Sequence, residues 1–406
     1  MALIFAYCSS LWQIRHMSQW RPDVPHNELP TPPGVDELET RSVLKAAIGA
    51  NTALAKLDQA ASSIPNPTVL INTIPLLEAQ ASSEIENIVT TTDALFRHID
   101  EPAAADPATR ETLLYRTALR EGFEQTIDRG LTTATASAVC SIIKGREMQV
   151  RALPGTRIGN PVTGELTYSP PEGRDLIAGK LSEWERFIHA EDGMDPLVRM
   201  AVAHYQFEAI HPFTDGNGRT GRILNVLMLV EAGLLRHPLL YLSRYIIETK
   251  NEYYQLLRAV TEESAWEKWI LYILTGIERT SLATFHKIAA IRELQDEFVR
   301  RGRTVSRGGA DSEFQSVLFE QPYCRISTVM TRCGVSRPTA TSWLGAFAEA
   351  GLLQDIKVGR GRLFVNREFL QLLVRAEPST NGLRTDGREG RHLHVSIPAD
   401  AEIPVM

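Results

Sequence analysis

The chain has 406 residues, of which 43% are hydrophobic and 23% charged, with a formal net charge of −6 at pH 7. That length calls for two or three structural units, and the composition is that of a soluble globular protein. A mildly acidic balance excludes a molecule drawn as a whole to nucleic acid or to an anionic membrane, and leaves only local patches for such work.

The first stretch, "MALIFAYCSSLWQIRH", is apolar but too short to span a bilayer, and its first cation is Arg15. It reads as an extended or mis-assigned start, with Met17 opening the protein and residues 1–35 forming a leader and a proline-rich extended arm. From Glu37 the helical period dominates. "LETRSVLKAAIGANTALAKLDQAA" predicts a helix ending at "SIPNP", and "LLEAQASSEIENIVTTTDALF" predicts a second. "EPAAADPATRET" reads as a loop, and "TLLYRTALREGFEQTIDRG" as a helix stopped by Gly130.

Between Met148 and Gly173 the pattern changes to turn pairs and short strand-like pieces, Val150 to Ala152 and Glu165 to Tyr168, which predicts a hairpin or flap. Helices resume with "RDLIAGKLSEWERFIHAED" and "DPLVRMAVAHYQFEAI", the latter with Leu197, Met200, Ala201, His204 and Phe207 on one stripe. "ILNVLMLVEAGLL" is apolar nearly all round, which predicts a central buried helix stopped by Gly233. Two or three more helices are expected to about Ala289, then a basic, glycine-rich linker over 291–312.

Over 313–376 the style changes again. A short helix turns at Gly334, Ser336 caps a second helix that stops at Gly351, and two strands follow around "GRGR". Helix-turn-helix plus hairpin is the outline of a winged helix. Residues 377–406 read as a polar, disordered tail. The fold class expected is therefore mostly α, a helical core with a small β-hairpin flap plus a C-terminal winged-helix domain. The four cysteines, Cys8, Cys140, Cys324 and Cys333, form no CxxC pair and no zinc-ligand spacing, so buried thiols in a reducing cytoplasm are expected.

The chemistry concentrates in "HPFTDGNGRTGR", His211 to Arg222. "GNGR" precedes a helix, where free backbone N–H groups and the positive dipole end make an anion site. Gly216 and Gly218 let the backbone approach a phosphate without a Cβ in the way. Arg219 and Arg222, three apart, leave one face of the first turn and suit a polyphosphate. Asp215 just ahead of the nest suits Mg²⁺, which takes few protein carboxylates and several phosphate oxygens. His211, four residues earlier, is placed to take a proton from an incoming hydroxyl, which implies attack on phosphorus with pyrophosphate or a diphosphate leaving.

This string matches the signature HPFx[D/E]GNGRxxR of the Fic-domain family at every fixed position, and the resemblance extends over roughly Trp20 to Ser281. "SSEIENI" resembles the family's inhibitory-helix motif [S/T]xxxE[G/N], met by Ser82, Glu86 and Asn87; "TYSPP" resembles the end of the flap and "NEYY" the border of the adenine pocket. The resemblance implies a Fic domain over 36–290 with an N-terminal inhibitory helix, and transfer of AMP from ATP to a Ser, Thr or Tyr hydroxyl of a target protein and of the chain itself. It implies His211 as general base and Asp215 as the Mg²⁺ ligand. Asn217 and the amides around Gly216 and Gly218 would hold the α-phosphate, Arg219 the β-phosphate and Arg222 the γ-phosphate, with Thr220 and Gly221 in the same turn. Tyr253 or Tyr254 would line the adenine pocket, and the flap at Glu165, Leu166, Thr167 and Tyr168 would hold the target by strand addition. The branch of the family that phosphorylates its targets carries a bulky basic residue where this chain has Gly218, so AMP transfer is the expected outcome.

Glu86 would pair with Arg222, occupying the guanidinium and repelling a γ-phosphate, so the enzyme is expected to be self-inhibited. The alternatives are AMP removal or another nucleotide donor on the same fold, and a DNA-binding regulator with a vestigial core. From Glu320 to Arg375 there are eight basic and four acidic residues, and the hairpin carries Arg360 and Arg362. DNA ranks below a protein partner for this module; a second copy of the chain is a further partner, and no membrane is expected.

Overall fold

The computed structural model describes residues 20–63, 68–99, 101–159, 164–358 and 361–375. The expected leader, the tail, Cys8 and the hairpin residues Gly359 and Arg360 lie outside the described residues.

Capping residues set most helix starts. Helix α1 spans Val35–Leu38. The first predicted long helix breaks at Thr40, whose hydroxyl caps α2, Arg41–Ser62, through the Val43 amide. Helix α3, Thr68–Ile85, ends one residue before Glu86. Asn87 follows at φ 61°, a left-handed conformation that Gly and Asn adopt most readily. The second predicted helix is therefore two: α4, Thr92–His98, starts afresh on the Thr91 cap. The expected loop at 101–112 is shorter than the composition implied, because Asp106 caps and Pro107 opens α5, Pro107–Arg129.

Helix α6, Thr133–Lys144, was not anticipated. Its "TATASA" start lacks an apolar stripe, yet a capping box between Thr132 and Thr135 opens it and Gly145 at φ 62° closes it. It packs against α5 and the later helix that carries the glycine-rich motif. The flap is β1, Ile158–Gly159, paired antiparallel with β2, Leu166–Tyr168. The first strand thus lies later than the expected Val150 to Ala152, where Arg151 is instead buried against the catalytic turn. The arm at 20–34 lies on β2: Trp20 stacks on Tyr168 at 6.3 Å, and His26 donates its amide to the Ser169 carbonyl.

Helices α7, Arg174–Ile188, α8, Pro196–Ile210, and α9, Asn217–Glu231, follow. Helix α8 is enclosed nearly all round rather than along one stripe, and α9 is buried as its composition predicts. Next come α10, Leu242–Glu248, α11, Lys250–Glu263, and the 37-residue α12, Trp266–Gly302. Helix α12 runs along α2 and passes straight through the first part of the expected linker at 291–312. It stays helical because Ile288, Ile291 and Phe298 continue a buried stripe.

The C-terminal module is α13, Ser312–Glu320, β3, Tyr323–Arg325, α14, Ile326–Cys333, α15, Arg337–Glu349, β4, Gln354–Val358, β5, Gly361–Val365, and α16, Arg367–Val374. Its sheet has the order β3-β5-β4, all antiparallel. Gly334 turns in the left-handed region and the Ser336 hydroxyl caps α15, as expected. The end of α12 is part of this module's core, with Phe298 edge-on to Phe319 at 5.2 Å and tilted on Phe347 at 5.8 Å. Among the described residues, no helix is long and apolar enough to cross a membrane.

Candidate active site

The site lies where α8 ends and α9 begins. His211 caps α8 in the left-handed region, at φ 49°, and this reversal turns the chain into the glycine-rich loop. Such a conformation is costly for a residue with a Cβ, and Arg151 holds it. The Arg151 guanidinium donates to the carbonyls of His211 (2.7 Å), Ile210 (3.2 Å) and Pro171 (2.5 Å), while its amide donates to the Pro212 carbonyl. Arg151 therefore ties the catalytic turn to the end of the flap. It is a site residue that the sequence reading missed, since a lone arginine in a flap carries no pattern.

Burial lowers the His211 imidazole to about 4, and the Arg151 charge adds to the effect. The ring is neutral at pH 7, and its Nδ1 has no protein partner. Both are properties of a general base.

Asn217 closes the loop beneath it. Its side chain accepts from the Phe213 amide and donates to the Phe213 carbonyl, each at 2.8 Å. That side chain is buried and committed to the loop, so only its backbone amide faces the task expected of it. Gly216 takes φ 84° and accepts the first helical hydrogen bond, from the Thr220 amide. The amides ahead of that bond are the ones helix geometry leaves open for an anion.

Arg222, with 2% of its side chain exposed, is held by the end of α3 and the residue just beyond it. Its Nε donates to the Ser82 hydroxyl (2.8 Å), and its Nη2 to the Ser82 carbonyl (2.9 Å) and to Glu86 Oε1 (2.9 Å). Burial alone would raise the Glu86 carboxyl, but the Arg222 guanidinium holds it below the ordinary carboxylate value. Glu86 keeps 36% of its side chain exposed, so solvent screens part of that attraction. Gly218 makes the contact sterically feasible: a Cβ there would stand 2.4 Å from Glu86 Oε1 and 3.0 Å from Arg222 Nη1.

Two further residues that the sequence reading passed over tie the other charges. Glu111 on α5 accepts from Arg219 Nη2 (2.8 Å) and from Lys144 Nζ (3.0 Å). Lys144, the last residue of α6, also reaches Asp215 Oδ2 at 2.6 Å. Arg219 is buried beneath the nest, and its Nε and Nη1 have no protein partner. Among the described residues no group of three or more His, Cys, Asp or Glu side chains could hold a metal ion by itself. One half-exposed carboxylate, Asp215, fits only an ion that brings phosphate oxygens with it.

Tyr253 sits in the core, 1% exposed, its hydroxyl sharing a 2.9 Å hydrogen bond with His204 Nε2. Tyr254, 43% exposed, is the open one of the pair, and its hydroxyl feels the Glu86 carboxylate. Of the flap residues, Leu166, Thr167 and Tyr168 are half-buried and Glu165 exposed, and the Tyr168 hydroxyl donates to the Ala209 carbonyl two residues before His211. Cys140 underlies the loop, where burial pushes its thiol up to about 11 and makes it inert.

A helical core sets a glycine-rich helix N-terminus beside a neutral histidine, with a glutamate clamped on the last arginine of the motif. The Fic/DOC family N-terminal description matches residues 44–124, the Fic/DOC family description residues 134–229, and that of the protein adenylyltransferase SoFic-like C-terminal domain residues 310–369. Residues 44–124 and 134–229 thus resemble the two segments that define the Fic/DOC family. It is 38% identical over 96 residues to protein adenylyltransferase fic-1 of Caenorhabditis briggsae and 45% identical over 96 residues to that of Caenorhabditis elegans. Each match takes in 23% of this chain and 17% of the relative, so the chain spans under a fifth of these relatives' length. A solved Fic family protein from Desulfovibrio desulfuricans shares the fold, with a TM-score of 0.50 at 18% identity over 83% of this chain and 98% of that one.

Proposed function

We propose that the protein moves AMP from ATP to a Ser, Thr or Tyr hydroxyl of a target protein, and that it rests in a self-inhibited state. The observation that carries this is the Ser82–Arg222–Glu86 cluster at 2.8–2.9 Å, set against an open nest and a neutral His211. The names of the relatives, protein adenylyltransferases, support the same chemistry.

In the step proposed, the target's hydroxyl oxygen attacks the α-phosphorus and His211 takes the hydroxyl proton. The bond to the β-phosphate bridging oxygen breaks, and pyrophosphate leaves. The loop amides at Gly216 to Arg219 hold the phosphates, with Asp215 as the carboxylate for Mg²⁺. When bound, Mg²⁺ would shield phosphate charge and stabilise the leaving group. Arg222 is the γ-phosphate ligand, and Glu86 denies it that role, so ATP enters in an unproductive pose. Tyr254 borders the adenine, and the flap presents the target segment.

The C-terminal module serves protein docking better than DNA binding. Part of its positive charge is paired: Arg362 on Asp355, Arg332 on Glu313 and Glu320, and Arg301 of α12 on Glu368.

The test uses purified protein, Mg²⁺ and ATP labelled separately on the α- and γ-phosphates. Glu86→Gly is expected to incorporate only the α-label, at least tenfold above wild type, and His211→Ala to incorporate none. Equal labelling of wild type and Glu86→Gly would remove the self-inhibition; retained γ-label would mean phosphorylation.

A further inference from the structure

Lys144 has no place in the roles assigned above, yet it touches the metal carboxylate. Its Nζ is 2.6 Å from Asp215 Oδ2 and 3.0 Å from Glu111 Oε1, and Arg219 shares the same Glu111 oxygen at 2.8 Å. Two cations and two carboxylates thus form one neutral quartet directly under the phosphate nest. The lysine is fixed there. It is the last residue of α6, C-capped by Gly145, and its aliphatic stem lies against Gly216, where a Cβ would meet Lys144 Cδ at 3.3 Å. Only 16% of the side chain is exposed, against 55% for Asp215. The carboxylate is open to solvent on one side and faces a fixed ammonium on the other.

We propose that Lys144 is the built-in counter-cation of Asp215: it neutralises that carboxylate, and a divalent ion must displace it. The inference rests on the assignment of Asp215 as the metal ligand. Its physical basis is competition. An ammonium at 2.6 Å satisfies the oxygen that a metal needs, and repels an ion of the same sign. Free metal, offered one carboxylate already paired, binds poorly. Metal arriving with the nucleotide brings phosphate charge that compensates the displaced ammonium, which keeps Glu111 as its anchor. Lys144 thereby couples metal entry to nucleotide entry, and leaves a bare carboxylate at no stage.

Free Mn²⁺ binding, followed by electron paramagnetic resonance without nucleotide, tests this. Lys144→Met is expected to bind Mn²⁺ about tenfold more tightly than wild type, the scale of one charge-assisted contact. Lys144→Arg, which keeps the charge, should stay near wild type, and adding Asp215→Asn to Lys144→Met should abolish the gain. Thermal melts establish that each variant is folded. Unchanged Mn²⁺ affinity in folded Lys144→Met overturns the inference while leaving Asp215 as ligand. If Asp215→Asn alone leaves the affinity for Mn²⁺ with ATP unchanged, the metal assignment itself falls, and this inference with it. A measurement on the wild-type sequence covers a Lys144→Met that does not fold. After reductive ¹³C-methylation, the Lys144 methyl resonance, assigned by its loss in Lys144→Arg, should shift when Mg²⁺ and a non-hydrolysable ATP analogue are added. A resonance that stays in place overturns the proposal.

Discussion

His211, the base proposed here, is kept uncharged by its surroundings. Its folded value, about 4, lies below the ordinary histidine value, so protonation is resisted and the base form persists well into acid. In the Glu86→Gly protein, which loses a carboxylate that raises the ring's value, the acid limb of AMP transfer should therefore fall at or below about pH 4. A limb centred near 6.5 would mean that the ring is solvated. Arg151 is the second lever at this scale. Three carbonyls around the catalytic turn lose their donor in Arg151→Ala, and a misplaced base costs about 10²-fold in rate. That loss is expected in kcat of Glu86→Gly, with circular dichroism unchanged; a loss confined to KM would refute it. Both residues stand in "IHPF" and "QVRAL". The histidine announces itself through its neighbours in sequence, whereas the arginine acquires its role only through carbonyls that lie up to 60 residues away.

Helix α3 leads into Glu86, the proposed inhibitor, and three residues here are spaced four apart: Glu78, Ser82 and Glu86. Glu78 is fully buried, accepting from the Ser243 amide (3.0 Å), the Ser243 hydroxyl and the Tyr115 hydroxyl (3.2 Å). Burial raises its carboxyl to about 7, partly offset by those donors. The folded state therefore binds this proton more tightly than the unfolded chain. Its contribution to stability is full below the unfolded value of 4.5 and is lost as pH rises through about 7. The melting temperature of wild type should decline from pH 5 to 8, and Glu78→Gln should flatten that decline; parallel slopes would contradict it. At the same scale, α6 shows why the sequence reading fell short. Its Thr- and Ala-rich face packs closely on α5 and α9, with Gly122 leaving room for Val139 and Leu227, and close packing of small residues leaves no hydrophobic period to read.

Across the whole molecule, α12 makes one body of what composition divided in two. Its first half lies along α2, and its end sits in the core of the C-terminal module through Phe298. That module also reaches the inhibitory region: Asn72 of α3 donates to the Glu320 carbonyl at 3.4 Å, and the Tyr323 hydroxyl to Asp93. Unfolding is expected to be a single cooperative transition. Phe298→Ala should lower stability by about 3–5 kcal/mol and shift that transition as a whole. Early loss of the module alone in calorimetry would show two independent units.

The histidine, the glycine-rich turn, its arginines and the glutamate of the proposed site were legible in the chain because each belongs to a short string. Chemistry that needs a base, amides and guanidiniums within one loop must write them close together. The cap residues Ser336 and Gly334, and the all-apolar run of α9, were legible for the same local reason. The partners were not. That Glu86 meets Arg222, that Arg151 props His211, and that Lys144 and Glu111 share the Asp215 and Arg219 charges depend on contacts spanning 33 to 136 residues. Equally beyond local reading was which tyrosine is open, since Tyr253 and Tyr254 are adjacent and only packing against His204 and Trp269 buries the first. Spacing along the chain specifies the reacting groups. Burial and long-range charge pairing, which arise only once the helices close on one another, set their protonation, their restraint and their access.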